Sequence, residues 1–170
     1  MKVKNLQDVL VTGLKYVYDC EQKLTEKGLP KMIESASSQE LRSALEQHLE
    51  ETRTHVTRLD RVFGILGVEP KAEDNDVMDE LTKVAEHMID ATEDGSALRD
   101  VVLIVGGNQV EHYEMASYGS LKALAEQLGQ REAAQLLEQT LQEEKAADAK
   151  LTELGKSVAN PEAAKYARAA

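Results

Sequence analysis

Tryptophan is absent from this 170-residue chain, and proline occurs only three times. Five tyrosines and one phenylalanine are its only aromatic residues, so large rings contribute little to a core. The few prolines leave few points at which a helix must break. Alanine, leucine, glutamate, glutamine and lysine, which favour helices, dominate the composition. The sequence therefore predicts an all-α protein and argues against an all-β fold.

Cysteine is also scarce. Cys20 is the single cysteine, which excludes an internal disulfide and a zinc site made of several thiolates. The sequence shows no apolar run long enough for a signal peptide or a membrane span, so we expect a soluble, cytoplasmic protein. Acidic residues outnumber basic ones by 31 to 20, which gives a formal net charge of −11. Such a surface repels nucleic acids and anionic membranes and attracts cations.

Hydrophobic periodicity predicts four long helices and a shorter fifth one. The long helices cover about residues 5–27, 37–66, 97–128 and 132–154, and the short helix covers about residues 77–93. Gly28 is expected to end the first helix, and Ser37 with Glu40 forms a candidate capping box for the second. Gly129 predicts a tight turn between the last two long helices.

The lengths of the connections predict the topology. Short links join the first long helix to the second and the third to the fourth, so each pair forms an antiparallel hairpin. The connection between the hairpins is about thirty residues long, which lets the chain cross the bundle. These features predict a ferritin-like four-helix bundle over residues 3–155, with the short helix in the crossover. Residues 156–170 form an Ala-rich C-terminal tail, in which Asn160 and Pro161 either cap one further turn or fray.

Several carboxylates interrupt the apolar stripes of the long helices. Glu21, Glu111, Glu114 and Glu144 occupy mid-helix positions that the helical period assigns to the core. A lone glutamate at such a position is usually an edge residue that reaches solvent. Four of them at one level of a bundle would be costly to bury without a neutralising partner, which favours bound metal. Carboxylate and imidazole ligands suit iron or manganese better than zinc.

Two residues of the second helix lie near the same level. Glu51 flanks the stripe, and His48 stands three residues before it on the same face. A weak internal repeat supports one shared site, because Glu21 and Glu51 are thirty residues apart, as are Glu114 and Glu144. The predicted metal ligands are Glu21, His48, Glu51, Glu111, Glu114 and Glu144.

Three motifs follow one another along the chain: His48-Leu-Glu-Glu-Thr52, then Val110-Glu-His-Tyr-Glu114 with Ser117-Tyr-Gly119, then Gln142-Glu-Glu-Lys145. In this combination they resemble the YciF/YciE-like bacterial stress proteins, over about residues 3–155. That family belongs to the ferritin-like superfamily, near rubrerythrins and bacterioferritins. The resemblance implies a four-helix subunit, commonly a dimer, that acts in a bacterial stress response.

The ligand pattern of the superfamily carries over only in part. It implies that Glu21, Glu51 and Glu144 are ligands and that Glu111 with Glu114 resembles the doubled glutamates of rubrerythrins. The pattern also expects a histidine three residues after two of the glutamates. Thr54 and Ala147 occupy those positions here, and neither side chain can replace an imidazole.

Other residues can fill these vacancies. His48 is the preferred imidazole ligand, and His55 and Asp148 are alternatives. Tyr18 and Tyr118 either hydrogen-bond ligand carboxylates or fill the core. The remaining polar candidates are not expected to be ligands: Cys20 is expected to be a buried inert thiol, His112 to lie beside the ligands or on the surface, and His87 to be structural or to face solvent.

The leading hypothesis is a ferritin-like, non-haem metal protein that holds iron, with two ions as one possibility, and oxidises Fe(II) with O₂ or peroxide. Manganese or zinc is a less favoured metal. The rival hypothesis is a non-catalytic dimeric helical protein with a vestigial site, and a third is a manganese catalase-like or hydroxylase-like enzyme. Leu49 and Val56 lie about 100° around the second helix from its stripe, which suggests a second buried face and predicts a homodimer.

Overall fold

The computed structural model describes the backbone of residues 3–167 and the side chains of residues 3–165. Within the described residues there is no β-strand, which confirms the all-α prediction. The helices are α1 (Leu6–Lys23), α2 (Leu29–Ser35), α3 (Gln39–Ile65), α4 (Asp76–Asp90), α5 (Ala97–Gln127), α6 (Arg131–Leu154) and α7 (Asn160–Ala167). One π-helical turn, Leu24–Gly28, joins α1 to α2, and another, Gly155–Ala159, joins α6 to α7.

Four of these helices form the bundle. Helix α1 packs against α3 and α5, and α6 packs against the same two helices. Helix α4, which lies in the crossover, packs on the outside of α5. This packing confirms the ferritin-like four-helix bundle with a short crossover helix.

The starts of α3 and α5 lie side by side at one end of the bundle. The Asp100 carboxylate of α5 accepts hydrogen bonds from the backbone N–H groups of Ser37 (2.6 Å) and Ser38 (2.8 Å). The Ser37 hydroxyl also donates to the carbonyl of Ser96, the N-cap residue of α5. The third long helix therefore begins at the same end as the second, as the long crossover predicts.

Two details at the helix ends differ from the sequence predictions. Ser38 and not Ser37 caps α3, because the Ser38 side chain accepts from the N–H of Leu41 while Ser37 is bound to Asp100 and Ser96. Gly28 does not end the first helix. Its φ of −61° and ψ of −63° are right-handed helical, so the chain continues through the π turn into α2.

The turn at Gly129 is confirmed. Its φ is +73°, a conformation that favours glycine, and the N–H of Gln130 bonds to the carbonyl of Ala125 across it. Beyond α6 the chain stays helical to Ala167, so the predicted boundary at residue 155 falls within continuous helical structure. The last residues of the predicted tail, 168–170, lie outside the described residues.

The core consists of two apolar clusters separated along the bundle axis. The first contains Leu10, Leu14, Phe63, Tyr118 and Leu137, among others. The second contains Leu24, Leu41, Leu103 and Leu151, among others. On each long helix the polar side chains described next fall in sequence between these two clusters, so they form a layer across the middle of the bundle.

Candidate metal centre

Four glutamates are buried in the layer between the apolar clusters. Glu21 of α1 and Glu144 of α6 are 0% exposed, and Glu114 and Glu111 of α5 are 1% and 3% exposed. The helical period therefore identified core positions correctly at all four places. Helix α3 adds two imidazoles to the layer, those of His48 and His55, which are also buried.

The first converging group joins Glu21, His55 and Glu144. Nδ1 of His55 lies 3.0 Å from Oε1 of Glu144 and 3.4 Å from Oε1 of Glu21. Despite these distances, Nδ1 has no hydrogen-bond partner of acceptable geometry. A nitrogen close to two oxygens but aligned with neither faces the space that the three side chains share, which is how metal ligands are arranged.

The second converging group joins His48, Glu111 and, again, Glu144. Nε2 of His48 lies 3.1 Å from Oε1 of Glu111. In each group, one possible ligand atom from every residue lies within 4.8 Å of the others. Because Glu144 belongs to both groups, the two candidate sites adjoin, and its two oxygens can serve one site each.

The two imidazoles reach this layer from the same face of α3. His48 and His55 are seven residues apart, which is two helical turns and a rise of about 10.5 Å. Their ring centroids are only 6.5 Å apart, so the side chains lean towards each other. Thr52 occupies the turn between them and is turned back on its own helix, since its hydroxyl donates to the carbonyl of His48. The Thr52 side chain therefore does not compete with the carboxylates of the other helices for the space between the two imidazole rings.

Two hydrogen-bond donors contact the carboxylates of Glu21 and Glu114. The hydroxyl of Tyr118 donates to Oε1 of Glu21, and Sγ of Cys20 donates to Oε1 of Glu114 at 3.6 Å. Burial raises the pKa of both the Tyr118 hydroxyl and the Cys20 thiol well above their usual values, so both remain protonated donors at neutral pH. These contacts restrict the carboxylates, as groups around a metal centre commonly do.

A third contact holds His55 from outside the layer. Its Nε2 lies 2.8 Å from Oε2 of Glu143, and the guanidinium of Arg58 binds both oxygens of that carboxylate. Burial tends to raise the pKa of Glu143, but Arg58 and His55 outweigh it and hold the pKa below its usual value. Glu143 is therefore a charged acceptor for the N–H of His55.

The charges of the layer do not balance within the protein. Among the described residues, no lysine or arginine forms an ion pair with any of the four buried glutamates, whose only charged partners are His48 and His55. Four carboxylates thus face two imidazoles, so protonating both rings would still leave two negative charges. Buried atoms without a hydrogen-bond partner include Glu21 Oε2, His48 Nδ1, His55 Nδ1, Glu111 Oε2, Glu114 Oε2, and Oε1 and Oε2 of Glu144. Cations bound among these atoms would supply the missing partners, so the side chains fit a metal centre.

The pKa shifts of Glu144, Glu114 and His55 reflect the same excess of negative charge in the layer. Burial raises the pKa of Glu144 to about 7, with a further contribution from the charge of Glu21. Burial also raises the pKa of Glu114 well above its usual value, and the charges of Glu144 and Glu21 add to this. Burial alone would lower the pKa of His55, but the nearby carboxylates of Glu144 and Glu21 raise it to about 11.

The structure brings most, but not all, of the predicted ligands together. Glu21, His48, Glu111 and Glu144 belong to the converging groups, and Glu114 is buried beside them. Glu51 belongs to neither group. Its side chain is 35% exposed, accepts a hydrogen bond from Gln47, and lies 3.8 Å from Nδ1 of His48.

Several secondary candidates can also be placed. His55, only an alternative ligand on sequence grounds, lies at the centre of the first group. Asp148 faces His112 at 3.3 Å and joins neither group. The hydroxyl of Tyr18 donates to Asp60, so Tyr18 does not hold a ligand carboxylate. His87 is exposed, as one of its predicted alternatives had it.

Arg58 and Glu143 were not predicted from the sequence. Arg58 and Glu143 lie 85 positions apart and off the apolar stripes, so no local pattern connects them. The only signal for Glu143 is its place beside Glu144 in the Gln142-Glu-Glu-Lys145 motif.

A groove of about 510 Å³ lies between α3 and α6 and is lined in part by His48. Its α3 side includes Gln47, His48 and Glu51, and its α6 side includes Ala147 and Lys150. The second converging group therefore lies nearer to the groove than the first, because it contains His48.

No described helix has the length and apolarity that spanning a membrane would require.

Comparisons with known proteins bear on the family and the fold of this chain. A family model, described as a domain of unknown function (DUF892), matches residues 5–164. Protein YciF of Escherichia coli (strain K12) is 41% identical over 164 residues, which are 96% of this chain and 98% of the relative. This confirms the similarity to the YciF/YciE-like proteins.

Two solved structures support the fold in detail. The crystal structure of the E. coli stress protein YciF matches with a TM-score of 0.87 and 41% identity, over 93% of this chain and 99% of that one. The structure of YcfI from Rhodopseudomonas palustris, whose description suggests a structural role, matches with a TM-score of 0.85 and 40% identity. It covers 89% of this chain and 95% of that one.

Proposed function

The chain belongs to the DUF892 family, and we propose that its bundle core binds two non-haem metal ions, preferably iron, as part of a bacterial stress response. The stress role follows the description of the similar E. coli protein. The metal role is carried by one observation, namely that the buried Glu144 belongs to both groups of converging ligand atoms.

The ligands divide between the two ions. Glu21 and His55 would hold one ion, His48 and Glu111 the other, and Glu144 would connect them. Glu114 is the fourth buried carboxylate of the layer and the one that belongs to neither group. Its Oε2 has no hydrogen-bond partner in the protein, so it would add a further negative charge beside the ions. This oxygen-rich set with two imidazoles suits iron or manganese better than zinc.

The proposed chemistry treats Fe(II) as the substrate. Iron held in such a site supplies one-electron redox chemistry. Two Fe(II) ions would lose one electron each, and one molecule of peroxide would take up both electrons and two protons to form two molecules of water. The protein's own side chains would bind the ions, neutralise their charge and exclude bulk water, since Glu21, His55 and Glu144 are fully buried. Manganese bound at the same ligands, with turnover of peroxide, is the alternative of the same class.

A non-catalytic helical protein is the competing proposal. It is favoured by the close pairs of imidazole and carboxylate, His48 with Glu111 and His55 with Glu144, which can neutralise part of the layer without metal. The structural role suggested for the R. palustris relative is of this kind. In this case protons would replace cations, and the protein would act through its surface, as a homodimer in the cytoplasm.

Anaerobic titration of metal-free protein with Fe(II) distinguishes these proposals. Equilibrium dialysis is expected to show two equivalents bound per chain. Glu144→Ala is expected to lose both equivalents because the residue belongs to both groups, whereas Glu21→Ala and Glu111→Ala are each expected to lose one. Glu138→Ala on the same helix provides a control, since Glu138 is 36% exposed and pairs with Lys122.

Two results would reject the metal proposal. One is a wild-type protein that binds no Fe(II), no Mn(II) and no Co(II) under these conditions. The other is a Glu144→Ala variant that folds, as judged by circular dichroism, and binds as many equivalents as wild type. If metal binds but neither O₂ nor peroxide oxidises the bound Fe(II), the redox step alone is wrong.

A further inference from the structure

The two halves of the candidate metal centre differ in their access to solvent. His48, of the second group, lines the groove of about 510 Å³ between α3 and α6. None of the three residues of the first group, Glu21, His55 and Glu144, lines the groove. All three residues are 0% exposed. One half of the centre therefore adjoins the groove through His48, while the other half is enclosed by the bundle.

Glu51, His48 and Glu111 form a chain of polar contacts from the groove to the candidate metal centre. Glu51, 35% exposed, lies near the outside, and its Oε2 is 3.8 Å from Nδ1 of His48. That nitrogen is buried and has no hydrogen-bond partner. The other nitrogen of the same ring lies 3.1 Å from Glu111. His48 thus has one ring nitrogen on the side of Glu51 and one on the side of the buried carboxylates.

The width of the groove depends on small side chains. Ala44 on α3 and Ala146 and Ala147 on α6 line it. Lys150 also lines the groove, but its ammonium group lies 3.3 Å from Glu153, so part of its charge is compensated outside. Glu40 and Glu51 make the lining attractive to cations.

We propose that this groove is the access route for divalent cations and that Glu51 is a transit ligand, which passes a cation to His48. The ion beside His48 and Glu111 then binds and leaves faster than the enclosed ion beside Glu21 and His55. This inference rests on the proposed metal function. In this proposal Glu51 affects the rate at which cations bind and leave, and not the number bound, because it is partly exposed and lies outside both ligand groups.

Narrowing the groove tests the route directly. Metal-free protein is mixed anaerobically with Co(II) in a stopped-flow instrument, and binding is followed by the visible absorption of the bound ion. Ala147→Leu places a larger side chain in the groove and is expected to slow binding at least tenfold without changing the number of equivalents bound. Removal of bound Co(II) by a chelator is expected to slow by a similar factor, because release uses the same route. Ala149→Leu, an exposed position of α6 that does not line the groove, is the matched control.

A change of charge tests the role of Glu51. Glu51→Gln keeps the size of the side chain and is expected to slow Co(II) binding several-fold, more strongly at low ionic strength than at high. Glu50→Gln, one residue away and exposed, removes the same charge outside the groove and is the control. Wild-type binding is expected in two kinetic phases, of which only the faster belongs to the His48 side and is lost in Glu111→Ala.

The outcomes separate the two levels of the proposal. Wild-type binding of Co(II) with unchanged rates in both Ala147→Leu and Glu51→Gln would overturn the route and leave the metal centre in place. Loss of a bound equivalent in Glu51→Gln would overturn the transit role, because Glu51 would then be a resident ligand. Absence of binding by the wild-type protein would overturn the metal centre itself and the route with it.

Discussion

Nε2 of His55 lies 2.8 Å from Oε2 of Glu143, a carboxylate that Arg58 binds through both of its oxygens. This contact assigns the N–H of the ring to the Glu143 side. The other nitrogen, Nδ1, then faces Glu21 and Glu144. In the proposed metal centre, Glu143 would therefore be a positioning residue, which acts on the metal through the orientation of His55.

Removing this support is expected to weaken metal binding. Glu143→Ala leaves the Nε2 side of His55 without its acceptor, and we expect the dissociation constant for the ion beside His55 to rise about 10- to 100-fold. Glu143→Gln keeps an acceptor oxygen and is expected to restore part of the affinity. The measurement is competition with a chelator of known affinity. Glu138→Ala, whose side-chain exposure of 36% is close to the 38% of Glu143, is the control.

A purely structural role for Glu143 predicts a different pattern. In that case Glu143→Ala and Glu143→Gln would lower thermal stability while leaving the affinity of folded protein for metal unchanged. That result would show that the orientation of His55 does not depend on Glu143.

The bundle could be predicted because its signals are local. The stripes of α3 and α6 repeat every three or four residues, and the crossover is long enough to allow α3 and α5 to start at the same end of the bundle. The choice between Ser37 and Ser38 as N-cap could not be predicted, because both residues suit the position. Asp100, 62 positions away from Ser38, binds both of their N–H groups and settles the register.

The site could be predicted in part for the same reason. The four buried glutamates were visible as interruptions of apolar stripes. The choice between Glu51 and His55 was not made correctly from the sequence, because His55 lies about one turn beyond Glu51 on α3 and was therefore placed outside the level of the site. His55 occupies the stripe itself and is 0% exposed, whereas Glu51 lies beside the stripe and reaches solvent. Position on the stripe was thus a better guide to which side chains are buried in the layer than the ligand pattern of the superfamily.

Loss of the Asp100 carboxylate is expected to destabilise the end of the bundle. Asp100 is buried and satisfies the N–H groups of Ser37 and Ser38, which Ala cannot do. Asp100→Ala is expected to lower the free energy of unfolding by about 2–3 kcal/mol, since each charged hydrogen bond contributes about 1.5–3 kcal/mol and their effects overlap. Urea denaturation measures the change. A loss below about 0.5 kcal/mol would show that water replaces Asp100 at no cost.

A homodimer is the expected assembly. Leu49 and Val56, from which the second buried face was inferred, are half-buried against the apolar clusters. Apolar side chains that stay more than 45% exposed include Val84 and Met88 on α4 and Val105 on α5. Light scattering is expected to give about twice the chain mass of 18.8 kDa. A mass of one chain at micromolar concentration, or of a large shell, would contradict the prediction.

The stability of the metal-free protein is expected to fall as pH rises. Burial raises the pKa of Glu144 to about 7, whereas a glutamate in the unfolded chain titrates near about 4.3. The folded state therefore binds more protons between these values, and stability is lost as pH rises from about 4.3 to about 7. His55 acts in the same direction at higher pH. Its pKa, which burial lowers but Glu144 and Glu21 raise to about 11, gives stability that is present below about 6.5 and lost towards 11.

A substitution at Glu114 can remove the cost of burying one negative charge in the metal-free protein. Burial and the charges of Glu144 and Glu21 raise its pKa well above the usual value, so its ionised form is unfavourable without a cation. Glu114→Gln keeps the shape and removes the charge. We expect it to stabilise the metal-free protein at pH 8 by at least about 1 kcal/mol, or about 3 °C in Tm for a chain of this length. At pH 5 the gain in stability should shrink, because the wild-type carboxyl is then protonated and neutral, like the amide of the variant.

Bound metal should reverse the sign of the stability change caused by Glu114→Gln, since the variant gives up a negative charge that stabilises the cations. Thermal melting of both proteins, with chelator and with Fe(II) under anaerobic conditions, measures the four differences. An equal shift in the same direction with and without metal would show that Glu114 takes no part in a buried metal centre.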